Sequence, residues 1–273
     1  MSKSLGNVVD PIDIMDGISL QELKDKLRVG NLDPKELKTA EKYQNTAFPQ
    51  GIPECGADAL RMALVGYTTG GGDISFDVSV IHGYRRFWYV DSSTFISIVT
   101  LSTAKDQANF TPIRSNKIYQ ATKFVIGRLG EGFKPRSTSK KSGKESLPER
   151  WILSKLSSSA RLIHDRLDKR EFSLATQVAY KYFYEFLCDT FIENSKAIFD
   201  EGSDEEKESA KQTLYTAIEG GLLMIHPFMP FITEELWQRL PRRDGDNTPS
   251  ITVANYPQPQ EEWDDEAAEV ECK

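Results

Sequence analysis

Apolar residues recur at intervals of three and four along most of this chain with charged residues between them, the spacing of one buried face on a helix. Leu60, Ala63, Leu64 and Tyr67 follow it, as do Ile152, Leu156, Ala160, Ile163 and Leu167, and then Ala175, Ala179, Tyr182 and Phe186. Helix starts are written beside these stripes. Asp33-Pro34-Lys35-Glu36 sets a capping acceptor three residues before a Glu, with Pro at the first helical position, and Ser203 with Glu206 repeats the device. Stops are as plain: Gly70-Gly71-Gly72 ends the first helix, and Pro227 and Pro230 break the chain between two late ones. The pattern predicts a mainly α fold in which Trp151-Ile152-Leu153-Ser154-Lys155-Leu156 opens one long helix of a bundle.

The 273 residues allow one or two domains, and 39% apolar residues suffice for a sizeable core. No apolar run approaches transmembrane length and the Met-Ser-Lys start carries no apolar signal segment, so a cytoplasmic protein without membrane contact is expected. Cys55, Cys188 and Cys272 lie far apart, as do His82, His164 and His226. That scatter predicts reduced thiols and neither a metal site nor a Cys/His catalytic site.

A net charge of −7 argues against a nucleic-acid partner until its location is read. Seven acids and one base crowd into residues 261–273, leaving only −1 on the rest of the chain. Binding to RNA depends on a local basic stripe, which total charge does not report. The acidic tail, 259–273, is expected to be disordered or to begin a further element. Residues 134–146 hold five bases, one acid and no apolar residue larger than Pro, the composition of a linker. They form either a solvated loop or a contact for an RNA backbone. The aromatic run Tyr180 to Phe186 reads as core, leaving Tyr180 and Tyr184, off the stripe, as candidates for stacking on RNA bases.

The strongest chemical signal is Met1-Ser2-Lys3-Ser4-Leu5-Gly6-Asn7. A Lys on a short Ser- and Gly-containing segment can swing onto triphosphate oxygens and neutralise charge as pyrophosphate leaves. Alone, the seven residues would read as a disordered terminus. The string resembles the Lys-Met-Ser-Lys-Ser loop of the class I aminoacyl-tRNA synthetases without its first residue, and its continuation Leu5-Gly6-Asn7-Val8-Val9-Asp10-Pro11 resembles the valine enzymes. Gly56-Ala57-Asp58-Ala59-Leu60-Arg61-Met62-Ala63-Leu64 and the stretch from Gly70 to Asp77 are similar to the segment that backs this loop, apart from the triple glycine. His226-Pro227-Phe228-Met229-Pro230-Phe231-Ile232-Thr233-Glu234-Glu235-Leu236-Trp237 resembles the family's late bundle segment. Ser250-Ile251-Thr252-Val253-Ala254 with Tyr256-Pro257 resembles its closing strand.

The resemblance implies three regions. Residues 1–77 would be the end of a nucleotide-binding catalytic domain, and 78–258 a helical-bundle anticodon-binding domain interrupted by 88–115 and the 134–146 linker, ahead of the tail. It implies ATP with Mg²⁺ and tRNA(Val) as partners, and Lys3 as the catalytic residue in a loop shaped by Met1, Ser2 and Ser4. Isoleucine and leucine enzymes share the layout, the isoleucine enzyme being the alternative carried forward, and a non-catalytic tRNA-binding module is the reading from another class. In the family, a His-Ile-Gly-His-type signature, the valine pocket and the editing domain precede the loop; no such string occurs in these residues. The isolated chain is therefore expected neither to activate valine nor to hydrolyse mischarged tRNA.

One segment departs from the helical pattern. Trp88 to Arg114 separates Tyr84-Arg85-Arg86-Phe87 from Asn116-Lys117-Ile118-Tyr119, flanks that resemble one continuous helix joined by a single Cys. The codons for Trp88-Tyr89-Val90 can contain the splice donor GTATGT, and an AGC codon at Ser115 would supply an acceptor AG and complete TGC, keeping the frame. Residues 88–115 are thus read as translated intron sequence, against the alternative of a genuine inserted loop, which would be long for a compact domain. Within it, Phe95-Ile96-Ser97-Ile98-Val99-Thr100-Leu101 is β-prone and uncharged, an aggregation hazard.

Overall fold

Asp10, Ser19 and Asp33 each start a helix by accepting hydrogen bonds from the first turn, which satisfies amide groups that the helix itself leaves orphaned. The computed structural model describes residues 3–69, 77–81, 117–138 and 141–272. They fall into two units: residues 3–64 with 77–81, and residues 65–69 with 117–138 and 141–272.

In the first unit, a 3-10 turn (Lys3–Leu5) leads to α1 (Pro11–Asp16), α2 (Leu20–Val29), α3 (Pro34–Ala47) and α4 (Ala57–Gly66). Pro11 and Pro34 occupy first helical positions, where the missing N–H costs nothing. The expected Asp33/Glu36 capping box is present, and Ser19 with Glu22 forms another. Ile18 and Ile52 exchange backbone hydrogen bonds, each 2.8 Å, and tie the chain after α1 to the chain before α4. Two small cores follow: Ile14, Cys55, Ala59, Leu60, Ala63 and Ile81, and Leu23, Ile52 and Val78. The buried face of α4 is therefore Ala59, Leu60, Met62 and Ala63; Leu64, expected on that face, is 48% exposed. One residue beyond Ala63 is a further 100° around the helix, enough to carry Leu64 off the seam.

The second unit begins with a 3-10 turn (Tyr67–Thr69) and continues through α5 (Lys117–Leu129), α6 (Leu147–Asp168), α7 (Phe172–Lys181), a π-helix (Tyr182–Ile192), α8 (Glu193–Glu201), α9 (Asp204–Ile225) and α10 (Pro230–Trp237). The expected long helix is α6, and Ile152, Leu156, Ala160 and Ile163 are buried along it while Leu167 is half-buried. The Ser203 and Glu206 capping box opens α9, and Pro230 opens α10. Gly220 and Gly221 let α9 lie close to its neighbours: a Cβ on Gly220 would sit 2.8 Å from Leu156 Cδ1, and one on Gly221 3.0 Å from Phe183 Cδ2.

Three sequence expectations are corrected here. Residues 250–254 are not a strand: Ile251–Val253 is a 3-10 turn, capped by Ser250 and held by Glu234, which accepts from Ser250 Oγ and the Ile251 N–H. With its amides bonded to side chains and local carbonyls, the segment has no ladder to join. Nor is the acidic tail disordered, since Glu261–Trp263 forms a 3-10 turn and Glu266–Glu271 a helix, α11, packed on α6 with Trp263 and Ala268 buried. Tyr180 and Tyr184 are 7% and 5% exposed and stack on each other at 5.2 Å, so neither offers a face to a base. Met1, Ser2, residues 70–76 and the 88–115 segment lie outside the described residues.

Candidate functional site

The loop carrying Lys3 is anchored downstream. Gly6 is buried with φ +70°, and a Cβ there would stand 2.7 Å from both Cα and O of Ala40 on α3. Only glycine combines that conformation with that approach. Val9 packs against the core that α4 supplies, so the loop rests on α3 as well as on the helix that sequence reasoning assigned to it. Asp10 then accepts from Ile12 N at 2.9 Å, fixing the start of α1. The backbone of Lys3 lies in the 3-10 turn, Ser4 is half-buried, and Leu5 is 52% exposed.

Further along, Asp13 is buried on α1 and bonded to Lys26 of α2. Hydrogen bonding to Asp13 raises the Lys26 pKa, keeping that ammonium charged. The pair pins α1 to α2. Among the described residues no group of three or more His, Cys, Asp or Glu is placed to hold a metal ion.

In the second unit the described residues before α6, 134–138 and 141–146, are irregular yet held at several points. Gln212 accepts from Arg136 N and donates to Lys134 O, each at 2.9 Å, and Arg243 donates to Arg136 O at 2.6 Å. Glu145 folds the loop on itself by accepting from Ser142 and Gly143. At its end Ser146 donates N–H and O–H to Glu149, whose other carboxylate oxygen accepts from Ser209 Oγ (2.7 Å) and Thr213 Oγ1 (3.1 Å). Glu149 is 2% exposed, a carboxylate buried on hydroxyl and amide donors.

The C-terminal acids meet the bases of α6. Asp265 pairs with Arg150 (3.1 Å), Glu269 with Lys155 (2.7 Å) and Asp264 with Arg161 (2.6 Å). Between them Ser154 donates to Glu269, and Ser157 exchanges hydrogen bonds with the backbone of Gln260. Lys117 of α5 reaches Asp189 of the π-helix at 2.8 Å and lies 3.3 Å from the centroid of Tyr184, while burial pushes the Cys188 thiol up to about 12. That thiol stays protonated and unreactive.

Two family models match. Residues 1–77 match tRNA synthetases class I (I, L, M and V), and residues 149–273 match the anticodon-binding domain of tRNA ligase. The chain is 47% identical over 265 residues to the mitochondrial valine–tRNA ligase of Saccharomyces cerevisiae, covering 97% of this chain and 22% of that protein. It is 45% identical over 268 residues to the valine–tRNA ligase of Schizosaccharomyces pombe, covering 98% and 25%. Against the human valine–tRNA ligase it is 43% identical over 271 residues, covering 99% and 19%. It thus spans about a fifth to a quarter of the length of the curated relatives it matches.

Proposed function

Since the chain belongs to the class I aminoacyl-tRNA synthetases, we propose that it works as part of a valine–tRNA ligase, joining valine to tRNA(Val) through an adenylate made from ATP with Mg²⁺. The observation that carries this reading is the 47% identity running through 97% of the chain, both matched regions included. In it, Lys3 neutralises phosphate oxygens while the valine carboxylate attacks the α-phosphorus and pyrophosphate departs. Met1, Ser2 and Ser4 shape the loop, Gly6 on Ala40 gives it a fixed base, and the second unit docks the tRNA. No described helix is long and apolar enough to cross a membrane, and the proposed site of action is the cytoplasm.

The test uses the full-length protein that carries this segment. Lys3→Ala should slow valine-dependent ATP–pyrophosphate exchange by about a hundredfold, as loss of one preorganised charge does, with tRNA binding retained. Unchanged exchange would remove Lys3 from the mechanism. A preference for isoleucine over valine in the same assay would favour the isoleucine enzymes instead.

A further inference from the structure

Buried polar side chains in this protein find partners. Asp13 has Lys26, Glu149 has Ser146, Ser209 and Thr213, and the hydroxyls of Thr122 and Ser195 donate to carbonyls one turn back. Gln44 of α3 is an exception. It is 3% exposed, and its Oε1 is buried with no hydrogen-bond partner among the described residues. A buried acceptor left unpaired has given up its hydration without return, so native folds rarely keep one without a use for it.

Its place on α3 narrows the use. Ala40, four residues earlier, receives Gly6 at the base of the Lys3 loop, and the 3-10 turn Lys3–Leu5 packs on the same helix. At 100° per residue Gln44 lies about 40° around from Ala40 and roughly 6 Å along the axis. Glu41, about 60° beyond Gln44, takes Arg28 of α2. Gln44 therefore stands at the seam where the loop and α2 meet on α3. Arg28, the base that α2 sends to this seam, is committed to Asp25 and Glu41. The main chain of α2 is bonded within its own helix. The loop is the side from which a donor can come.

We propose that Gln44 is a positioning residue for the Lys3 loop: its Oε1 stands unpaired in the loop arrangement of this structure and accepts a hydrogen bond from the loop when the segment carrying Lys3 moves onto the ATP phosphates. The unpaired oxygen destabilises the first arrangement and is satisfied in the second, so it biases the loop toward the phosphates by the worth of one buried hydrogen bond. Gln44 touches no reacting atom and acts through Lys3. The inference rests on the reading that Lys3 serves ATP in this protein.

The experiment measures valine-dependent ATP–pyrophosphate exchange and thermal stability in the full-length protein that carries this segment. Gln44→Met keeps the length of the side chain and removes the oxygen. Its kcat should fall about tenfold, the size of one hydrogen bond gained on the way to the transition state, with KM for ATP unchanged. The thermal midpoint should hold or rise, because no buried acceptor is left unpaired. Gln44→Asn, which withdraws the amide by one carbon, should lose kcat to the same degree, and it decides the matter alone if Gln44→Met does not fold. A purely structural role would give the opposite split, a lower midpoint with kcat intact. Wild-type kcat in these variants, or a loss of kcat in Gln44→Met that comes with a lower midpoint, overturns the proposal. Lys3→Ala separates the two readings. If it slows exchange while the Gln44 variants do not, only the positioning role falls; if none of them slows it, the phosphate role of Lys3 falls as well.

Discussion

Lys155 Nζ lies 2.7 Å from Glu269 Oε2, joining α6 to a segment 114 residues further along the chain. Ser154 Oγ donates to the other oxygen of the same carboxylate at 2.7 Å, so both oxygens of Glu269 are used. Removing the carboxylate with Glu269→Ala should loosen α11 and cost about 1 kcal/mol, the lower range for a charged hydrogen bond at a partly exposed site. Trp263, buried earlier in the same C-terminal segment, is the reporter. Its fluorescence should shift to the red in the variant, and an unshifted spectrum would mean that Trp263 alone holds the segment.

Acid should act on the same contact. Burial pushes the Glu269 carboxyl up, but the hydrogen bonds from Lys155 and Ser154 outweigh it and hold the group below the usual carboxylate range. A depressed native pKa stabilises the folded form fully above the unfolded-state value, about 4.3. That contribution is lost as pH falls through the lower native value. Trp263 emission followed from pH 7 downward should stay constant until the pH falls below about 4.3 and then change, and the change should be absent in Glu269→Ala.

Gly6→Ala should destabilise the first unit. The new methyl meets Ala40 Cα and O at 2.7 Å, both backbone atoms that cannot rotate away, and φ is +70°. The loss should exceed about 1 kcal/mol, visible as a lower thermal midpoint. An unchanged midpoint would mean that the loop leaves α3 without cost.

Glu149→Ala should be the most damaging of these substitutions. It strands the hydroxyls of Ser209 and Thr213 in the core and removes the partner of the Ser146 N–H. A loss of about 2 to 4 kcal/mol follows from leaving buried donors unsatisfied. Urea denaturation monitored by helicity measures it, and a midpoint within error of wild type would refute the account.

Transcripts should be spliced between the codons for Phe87 and Asn116. Reads joining Phe87-Cys-Asn116 are the expected product, and a dominant transcript retaining codons 88–114 would make the segment a true insertion.

Local signals in the sequence carried much of this fold. Asp33/Glu36 and Ser203/Glu206 open α3 and α9 as their spacing says, and the Ile152 to Ile163 stripe is buried along α6. Two further capping boxes, Ser19/Glu22 and Ser146/Glu149, were written in the same code and passed over. Other features had no local code. Phe186, expected on the core stripe of α7, is half-buried against Trp151, because the helix widens at Tyr182 and the 3.6-residue period ends there. The acids of 264–269 looked like a solvated tail, since their partners on α6 lie more than a hundred residues away. In the candidate site, the string around Lys3 reads as a phosphate loop only through its resemblance to a family motif, since its residue types alone would suit a disordered terminus. The demand for glycine at position 6 comes from Ala40, 34 residues later, which no spacing rule reveals.

The π-helix carries its own consequence for length variation. Its eleven residues bond from i to i+5, as the Thr190 hydroxyl also does to Glu185 O, and so they fit more chain into a given rise than an α-helix would. Deleting one residue from α6 would turn everything beyond it by about 100° and tear the core apart. Deleting one between Tyr182 and Ile192 would let the wide turns tighten to ordinary pitch while the helices on either side keep their faces inward. This stretch is the one long helical region described here where the protein can shorten without losing phase.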